Sequence, residues 1–293
     1  MTAEFDTYHH LLHGDSRNLS AISDDTVHLA VTSPPVWTGT TATHSTGSLR
    51  DYTDYDKFLT ELSKVWSEIY RILVPGGRLV CVVGDIWLSR KKYGRHSVIP
   101  FPSDICLTCR DIGFENLNPI IWHKVPAASD KSRERSRFLG KPYGPNGIIK
   151  NEIDYILMQR KPGGYRKPTK LQRKLSKIGK YEYNRWFQQF WNLQNDSPHS
   201  PVESFPHEIA DRLIRMFSFW GDTVIDPFCR AGTTLVAAMR CERNSIGVET
   251  DKKFCRIAIN RLHEASSPLF CKTLPDLLEL SAYSPPAPEP ENE

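Results

Sequence analysis

One stretch of the sequence decides the fold: Thr223-Val-Ile-Asp-Pro-Phe-Cys-Arg-Ala-Gly-Thr-Thr-Leu235. It starts as a short apolar strand, turns after Asp226, and continues from Thr233 in a helical pattern. In an open α/β sheet, ligands bind at the carboxyl ends of the strands, where such a turn presents backbone N–H groups. The stretch therefore predicts an α/β protein with a ligand site after this strand.

A second carboxylate, Glu249, stands at the end of the next predicted strand, Ser245 to Val248. A carboxylate about 20 residues beyond the turn is where the two ribose hydroxyls of a bound cofactor are held. The dinucleotide and P-loop fingerprints are absent, so neither NAD nor ATP is favoured. The pair of motifs predicts an adenosine cofactor, and an acidic turn suits one with a cationic amino-acid end.

The remaining chain alternates strands and helices, which predicts a doubly wound, mostly parallel sheet. The predicted strands are Thr26 to Val31, Arg78 to Val83, Pro119 to Trp122 and Ile153 to Met158. Four helices are predicted in these parts of the chain. The first starts at Asp56 and ends at Pro75-Gly76-Gly77, and the second runs from a cap at Ser103 or Asp104 to Gly113. The third spans Pro206 to Trp220, and the fourth follows a cap at Asp251.

A second chemical motif is Val31-Thr-Ser-Pro-Pro-Val-Trp37, which also follows a strand. The two prolines fix the backbone and leave carbonyl groups without competing N–H donors. A hydroxyl and a carbonyl held side by side can accept both hydrogens of an exocyclic amine and localise its lone pair for attack on a methyl group. Ser284-Pro-Pro repeats the tripeptide in the tail, but only the first copy follows a strand.

A basic and aromatic segment separates the two motifs. Residues 160–198 hold ten basic and two acidic residues, whereas the whole chain of 293 residues has a net charge of only +4. Tyrosine, tryptophan and phenylalanine residues are interleaved with the basic ones. This composition predicts an insertion that contacts nucleic acid.

Composition excludes several other classes. No apolar run approaches the 18 residues of a membrane span, and we expect no signal peptide at the amino terminus. Seven scattered cysteines predict reduced thiols in a cytosolic protein. No metal site is predicted: Cys106-x-x-Cys109 lacks a second pair, and His9, His10 and His13 are interpreted as a surface cluster. Asp85, after the strand Arg78 to Val83, fits a turn residue and an active-site residue equally well.

The order of these motifs resembles the circularly permuted, beta-class amino-group DNA methyltransferases of bacterial restriction systems, over residues 11–264. Arg71-Ile-Leu-Val-Pro-Gly-Gly-Arg-Leu-Val-Cys-Val-Val-Gly-Asp85 and Phe205-Pro-His-Glu-Ile209 also look like segments of that family. The resemblance implies a Rossmann-like fold, the cofactor S-adenosylmethionine and double-stranded DNA as substrate. It further implies a cytoplasmic, nucleoid-associated protein of a bacterium or archaeon with a cognate restriction endonuclease.

The resemblance also implies roles for single residues. Ser33, Pro34 and Pro35 would hold the target amine, with Val36 and Trp37 beside the base. The cofactor residues would be Asp15, Thr32, Phe205, Pro206, Asp226, Pro227, Phe228, Gly232, Thr233, Thr234 and Glu249. The stretch from Lys161 to Arg185 would lie in or beside the target-recognition region. Its DNA-binding residues would be Lys161, Arg166, Lys167, Lys170, Arg173 and Lys174.

Two positions depart from the family pattern, so alternatives stay open. Val36 stands where the family has a Tyr or Phe that stacks on the base, and Trp37 is a candidate replacement. Arg230 stands where the family has the first glycine of the turn, and an arginine adopts left-handed torsions only at a cost of about 1 kcal/mol. Thr-Ser-Pro-Pro indicates methylation of cytosine N4. Adenine N6 methylation, or DNA binding without methyl transfer, are the alternatives.

The sequence thus predicts one split catalytic domain with an insertion. Residues 1–125 would form the catalytic half, 126–198 the basic target-recognition region, and 199–265 the cofactor-binding half. Residues 266–293 would be a C-terminal segment with a disordered, proline-rich acidic tail.

Overall fold

The computed structural model describes residues 7–40, 48–125, 149, 151–194, 205–266 and 276–284. Its strands are β1 (His9–His13), β2 (Val27–Thr32), β3 (Leu73–Val83), β4 (Ile86–Leu88), β5 (Ser97–Ile99), β6 (Glu115–Val125), β7 (Ile153–Arg160), β8 (Phe190–Gln194), β9 (Thr223–Asp226), β10 (Asn244–Glu249) and β11 (Asp276–Glu279). Its helices are α1 (Tyr55–Ile72), α2 (Arg90–Tyr93), α3 (Phe101–Ile112), α4 (Lys170–Leu175), α5 (Lys180–Trp186), α6 (His207–Phe217), α7 (Thr233–Arg240) and α8 (Lys252–Ala265). Leu49–Asp51 and Leu280–Ala282 are single 3-10 turns.

Nine strands form one sheet in the order β11-β1-β10-β9-β2-β3-β7-β6-β8. In the described part of the chain β7 runs antiparallel to both neighbours, and the other pairings within this sheet are parallel. β4 and β5 form a separate antiparallel hairpin. The predicted mostly parallel α/β sheet is therefore confirmed.

Helices cover both faces of the sheet, which explains the nearly continuous apolar strands β2 and β3. Ala30 and Leu79 face the side where α1 and α3 pack, and both are fully buried. Val31 and Val80 alternate to the other side, where α6 and α7 pack. α8 covers β1 on that same side through a cluster that contains Leu11 and Leu262.

The connections reverse direction between β9 and β2, which are hydrogen-bonded neighbours. From β2 the chain passes through α1 to β3 on one side, and from β9 it passes through α7 to β10 on the other. At such a switch point the loops after the two strands diverge and leave a crevice at their carboxyl ends. The fold thus brings the two predicted motifs to one place.

Several predicted boundaries were wrong. α3 begins at Phe101 after Pro100, with Pro102 in its first turn, instead of at a Ser103 or Asp104 cap. α1 ends at Ile72, and Pro75-Gly76-Gly77 lies inside β3, where the register with β2 shifts. α6 ends at Phe217, before Trp220.

The histidines near the amino terminus belong to strand β1, which was not predicted. His9 is buried and contacts Thr7 and Ser245, so a surface cluster was the wrong interpretation for this residue. Within the described ranges, no group of metal-ligating side chains is assembled.

The predicted division into 1–125, 126–198, 199–265 and 266–293 stays a prediction. Residues 126–148, 195–204 and the tail 285–293 lie outside the described residues. β11 pairs with β1, so part of the C-terminal segment extends the sheet. Among the described helices, none has the length and apolar character needed to cross a membrane.

Candidate active site

A cavity of about 420 Å³ opens at the carboxyl ends of β1, β2, β9 and β10. This volume is typical of sites for small molecules of cofactor size. Among the predicted residues, those that line it are Asp15, Ser33, Pro34, Pro35, Val36, Pro227, Phe228 and Glu249. The two motifs therefore share one cavity, although most of the chain separates them.

Glu249 ends β10 and lines the cavity. Oε2 accepts a hydrogen bond from the backbone N–H of Arg230 at 2.9 Å, and Oε1 accepts one from Asp251 N–H, also at 2.9 Å. A carboxylate has about four acceptor sites, so further donors such as two ribose hydroxyls can still bind. The predicted role of Glu249 agrees with its position.

Asp226 is buried and joins the two motifs instead of lining the cavity. Its Oδ1 accepts from the Thr32 hydroxyl at 2.6 Å, and its Oδ2 accepts from the Thr234 hydroxyl at 2.7 Å. The Phe228 N–H donates to Oδ1 at 3.0 Å. Burial raises the pKa of Asp226 to about 6, and these three hydrogen bonds oppose the rise. Thr32, Asp226 and Thr234 thus position the Ser-Pro-Pro segment against the turn after β9.

Asp15 and Ser16 close the cavity from the end of β1. Ser16 donates to the Pro227 carbonyl at 2.5 Å, and Gly14 N–H donates to the Glu249 carbonyl at 3.0 Å. Asp15 is held by the Arg17 guanidinium, whose Nε lies 2.9 Å from Oδ2. The first strand therefore contributes a wall of the site, with a carboxylate fixed by its neighbour.

Arg230 lines the cavity in a left-handed conformation, with a φ of 44°. Its guanidinium lies over the ring of Phe254 in the first turn of α8, at 5.1 Å from the centroid. Burial lowers the pKa of this arginine, and nearby Arg50 acts in the same direction. The backbone N–H still reaches Glu249, so an arginine at this position is compatible with the turn.

The segment after β2 presents some of its residues to the cavity and buries others. Val36 is 47% exposed and lines the cavity beside Ser33 and the two prolines. Trp37 is 8% exposed, packs in the core and meets the Tyr55 ring edge-on. Trp37 therefore does not present its ring to the cavity as a replacement for the missing aromatic residue.

The other predicted cofactor residues support the site from behind. Gly232 has a φ of 76° and caps α7, whose first residues are the buried Thr233 and Thr234. Phe205 packs in the core, and Pro206 precedes the first turn of α6. None of these residues is among the described residues that line the cavity.

Sequence reasoning missed part of the lining: Ser16, Thr38, Ser48, Leu49, Arg50, Arg230, Val248, Thr250, Asp251 and Phe254. Arg230 was noted only as a departure from the family pattern. Thr250, Asp251 and Phe254 follow β10 directly, so the rule that ligands bind beyond strand ends could have found them. Leu49 and Arg50 belong to a 3-10 turn that carries no comparable signal.

The predicted DNA-binding residues lie at the opposite edge of the sheet. Lys161 Nζ contacts Asp25 and the carbonyls of Arg71 and Leu73, all near the amino ends of β2 and β3. Arg166 forms a bidentate ion pair with buried Asp222, just before β9.

The rest of the predicted DNA-binding set lies at the same amino-end edge. Lys170, Arg173 and Lys174 are on α4, whose Gln172 contacts the loop residue Trp220. Lys167 is exposed just before α4. Some aromatic residues of the basic segment belong to the core and are not available to DNA, because Trp186 and Trp191 are buried there. The structure therefore does not bring the six basic candidates to the cavity.

The residues that line the cavity fit an adenosine cofactor. Glu249 offers acceptor sites at the cavity wall, and Phe228 and Phe254 provide aromatic surface in the same cavity. The buried Asp226 bridge fixes this wall to the Ser-Pro-Pro segment. The arrangement can therefore hold a nucleoside cofactor next to two acceptors for an amine.

Comparison with known proteins identifies the family. The DNA methylase family of N6 and N4 methyltransferases matches residues 27–260. The type II methyltransferase M.MjaI of Methanocaldococcus jannaschii is 36% identical over 282 residues, which cover 86% of this chain and 90% of that protein. The type II methyltransferase M.MthZI of Methanothermobacter thermautotrophicus is 31% identical over 287 residues, 88% of this chain and 77% of that one.

Solved structures agree with this assignment. TTHA0409 of Thermus thermophilus, crystallised with S-adenosyl-L-methionine, is 45% identical with a TM-score of 0.74, over 92% of this chain and 100% of that chain. PvuII DNA methyltransferase (cytosine-N4-specific) is 16% identical with a TM-score of 0.63, over 95% and 97% of the two chains, which supports the fold alone. The chain therefore belongs to the N6/N4 DNA methylase family and is an S-adenosylmethionine-dependent DNA methyltransferase.

Proposed function

We propose that this protein methylates the N4 amine of cytosine at a specific site in double-stranded DNA. One observation carries the proposal: Ser33 and Pro34 line the same cavity as Glu249. The order of the motifs, with Ser-Pro-Pro before the cofactor turn, supports membership of the circularly permuted beta class. Type II methyltransferases among the relatives support a role in the cytoplasm of a prokaryote, as the modification partner of a restriction endonuclease.

The target amine is unreachable inside the base stack, so the cytosine flips out of the duplex into the cavity. The Ser33 hydroxyl and the Pro34 carbonyl accept the two amine hydrogens and localise the lone pair. Val36 offers an apolar side chain to the base. When bound, S-adenosylmethionine would supply the electrophilic methyl group: the lone pair would form the N–C bond while the methyl–sulfur bond breaks, and S-adenosylhomocysteine would be the leaving group.

Positioning and electrostatics account for catalysis at this site. The methylated amine is cationic and acidic, so its proton passes to water or to the Ser33 oxygen without a dedicated strong base. Asp226 acts as a positioning residue, because its hydrogen bonds to Thr32 and Thr234 keep Ser33 beside the cofactor wall.

The deciding experiment is nucleoside analysis of unmethylated genomic DNA after incubation with the native protein and S-adenosylmethionine. We expect N4-methylcytosine by mass spectrometry, and Ser33→Ala should slow its formation by about a hundredfold, as when one hydrogen-bonding group at a reacting centre is removed. Ser67→Ala, which removes an exposed hydroxyl on α1, is the control.

Other products would contradict the proposal. N6-methyladenine would show that the same cavity serves the other base. DNA binding without any methylated nucleoside, together with cofactor binding in calorimetry only after Arg230→Gly, would identify a relative that has lost methyl transfer.

A further inference from the structure

A short basic hairpin stands at the edge of the sheet where the cavity opens. It comprises β4, α2 and β5, residues 86–99, and we call it the basic hairpin. The hairpin leaves the carboxyl end of β3, directly after Val83-Gly84-Asp85. β3 is the parallel neighbour of β2, whose carboxyl end leads into Ser33. The hairpin and residues 33–39 after β2, which we call the catalytic segment, therefore project from adjacent strands at one edge.

The charge of the basic hairpin has one sign. Five basic residues, Arg90, Lys91, Lys92, Arg95 and His96, lie within seven positions, and no acidic residue occurs between Asp85 and Asp104. All five are exposed. Gly94, at a φ of 77°, closes α2 and turns the chain so that Arg95 follows at once.

The surroundings do not neutralise this charge. Within the described ranges, Arg90, Lys91 and Arg95 form no salt bridge with a carboxylate. By contrast, Lys161 and Arg166 of the segment first predicted to bind DNA both hold carboxylates. Clustered cations without counter-charges repel one another, and a polyanion relieves that repulsion while releasing its counterions. The basic hairpin thus has the electrostatic character of a DNA-backbone site.

The basic hairpin also contacts the catalytic segment directly. Lys92 Nζ donates a hydrogen bond to the Thr38 carbonyl at 2.6 Å, and Thr38 lines the cavity. The Tyr93 hydroxyl lies against Gly39, where a Cβ atom would come within 2.5 Å of it. Gly39 has a φ of 62°, so the backbone favours glycine here, and a side chain at this position would displace the Tyr93 hydroxyl. A phosphate held by the hairpin would therefore lie near the entrance for the flipped base.

We propose that the basic hairpin binds the phosphate backbone of the DNA substrate beside the target base. Arg90, Lys91 and Arg95 contact phosphates, while Lys92 and Tyr93 fasten the hairpin to Thr38 and Gly39. This inference rests on the DNA substrate of the proposed function and does not depend on which base is methylated. Phosphate contacts set the register of the duplex, and base contacts made elsewhere specify the sequence.

The test compares two triple variants of the full chain that each remove three positive charges. Arg90→Gln, Lys91→Gln and Arg95→Gln alter the basic hairpin, and Lys170→Gln, Arg173→Gln and Lys174→Gln alter α4 at the opposite edge. Binding of a random-sequence duplex is measured by fluorescence anisotropy over a series of salt concentrations. Calorimetry with S-adenosylmethionine and thermal unfolding show that each variant is folded and retains its cofactor site.

We expect the hairpin variant to lose about tenfold or more in DNA affinity, and the slope of log K against log salt to become shallower by about 2.7. The α4 variant should change far less in both measurements. Equal losses in both variants, or a loss confined to the α4 variant, would overturn the proposal. A native protein that binds DNA through the hairpin but yields no N4-methylcytosine would refute the proposed function and leave this inference standing.

Discussion

Glu249 combines two tasks in one carboxylate. It anchors the turns after β9 and β10 through the Arg230 and Asp251 backbone N–H groups, and it faces the cavity where the ribose diol is expected. The negative charge matters for both tasks, because hydrogen bonds to a charged acceptor are worth about 1.5–3 kcal/mol each. A residue that orders two turns and is expected to bind the cofactor should be sensitive to the loss of a single oxygen.

Glu249→Gln should therefore weaken S-adenosylmethionine binding by about ten- to a hundredfold, since the amide has one acceptor oxygen and no charge. Isothermal calorimetry measures the change directly. Glu242→Gln removes the same charge from an exposed turn and should leave the affinity unaltered. Unchanged affinity in Glu249→Gln would mean that the ribose is held elsewhere.

Asp226 links protonation to stability. Burial raises its pKa from the ordinary value to about 6, so the folded protein binds a proton on this carboxyl more readily than the unfolded chain does. The favourable contribution of the protonated form is fully present below about pH 4 and is lost as the pH rises through about 6. A shift of about two units corresponds to roughly 3 kcal/mol as an order of magnitude.

Asp226→Asn should remove this dependence, because the amide does not titrate. The difference in unfolding free energy between the native protein and Asp226→Asn should fall as the pH increases from 4 to 7. Chemical denaturation at several pH values measures it, and comparing the two proteins cancels the titration of all other groups. A difference that rises over this range would show that the hydrogen bonds outweigh burial.

The direction of strand β7 places the basic segment at the edge of the sheet opposite the cavity. β7 runs antiparallel to β3, with Arg160 paired to Arg78 near the amino-end edge of the sheet. The chain after Arg160 therefore starts at the edge opposite the cavity. There Arg166 pairs with Asp222, whose side chain is 1% exposed and also accepts the Phe219 N–H at 2.7 Å. Arg166 thus holds the loop that enters β9.

Arg166→Ala should destabilise the protein by about 3 kcal/mol, because it leaves the Asp222 carboxylate buried without its partner. Lys167→Ala, next to it but exposed, should change stability by less than about 0.5 kcal/mol. Urea denaturation separates the two. If Arg166→Ala instead kept full stability and lost DNA affinity, the original prediction that Arg166 binds DNA would be supported.

Sequence patterns were sufficient to predict the features of the fold that depend on residues close together in the chain. The apolar patterns of β2, β3, β9 and β10 and the helical spacing of α1 were enough to predict the sheet and the edge at which the cavity opens. Glu249 and Ser33, which both line the cavity, were singled out because ligand sites follow strand ends, a rule that needs no tertiary information. The cofactor S-adenosylmethionine, implied by the family resemblance, is confirmed.

What the sequence did not predict depends on contacts across the fold. Periodicity does not distinguish parallel from antiparallel strands, so the side on which residues 161–174 emerge was not evident. Trp37 lies close after the two prolines in the sequence, but its ring packs in the core against Tyr55. The basic hairpin passed unnoticed because its four cations are few beside the longer insertion, and only the sheet shows that they border the catalytic segment.

The bond between Thr32 and Asp226 joins residues 194 positions apart in the chain. Closing so long a loop costs conformational entropy, and the contact needs both ends of the loop to be present. During synthesis, β2 and its Ser-Pro-Pro segment therefore leave the ribosome long before β9 and β10 exist to complete the cofactor wall. A nascent chain has no binding site for the methyl donor until nearly all of its globular part has emerged, so DNA modification begins only with a finished enzyme.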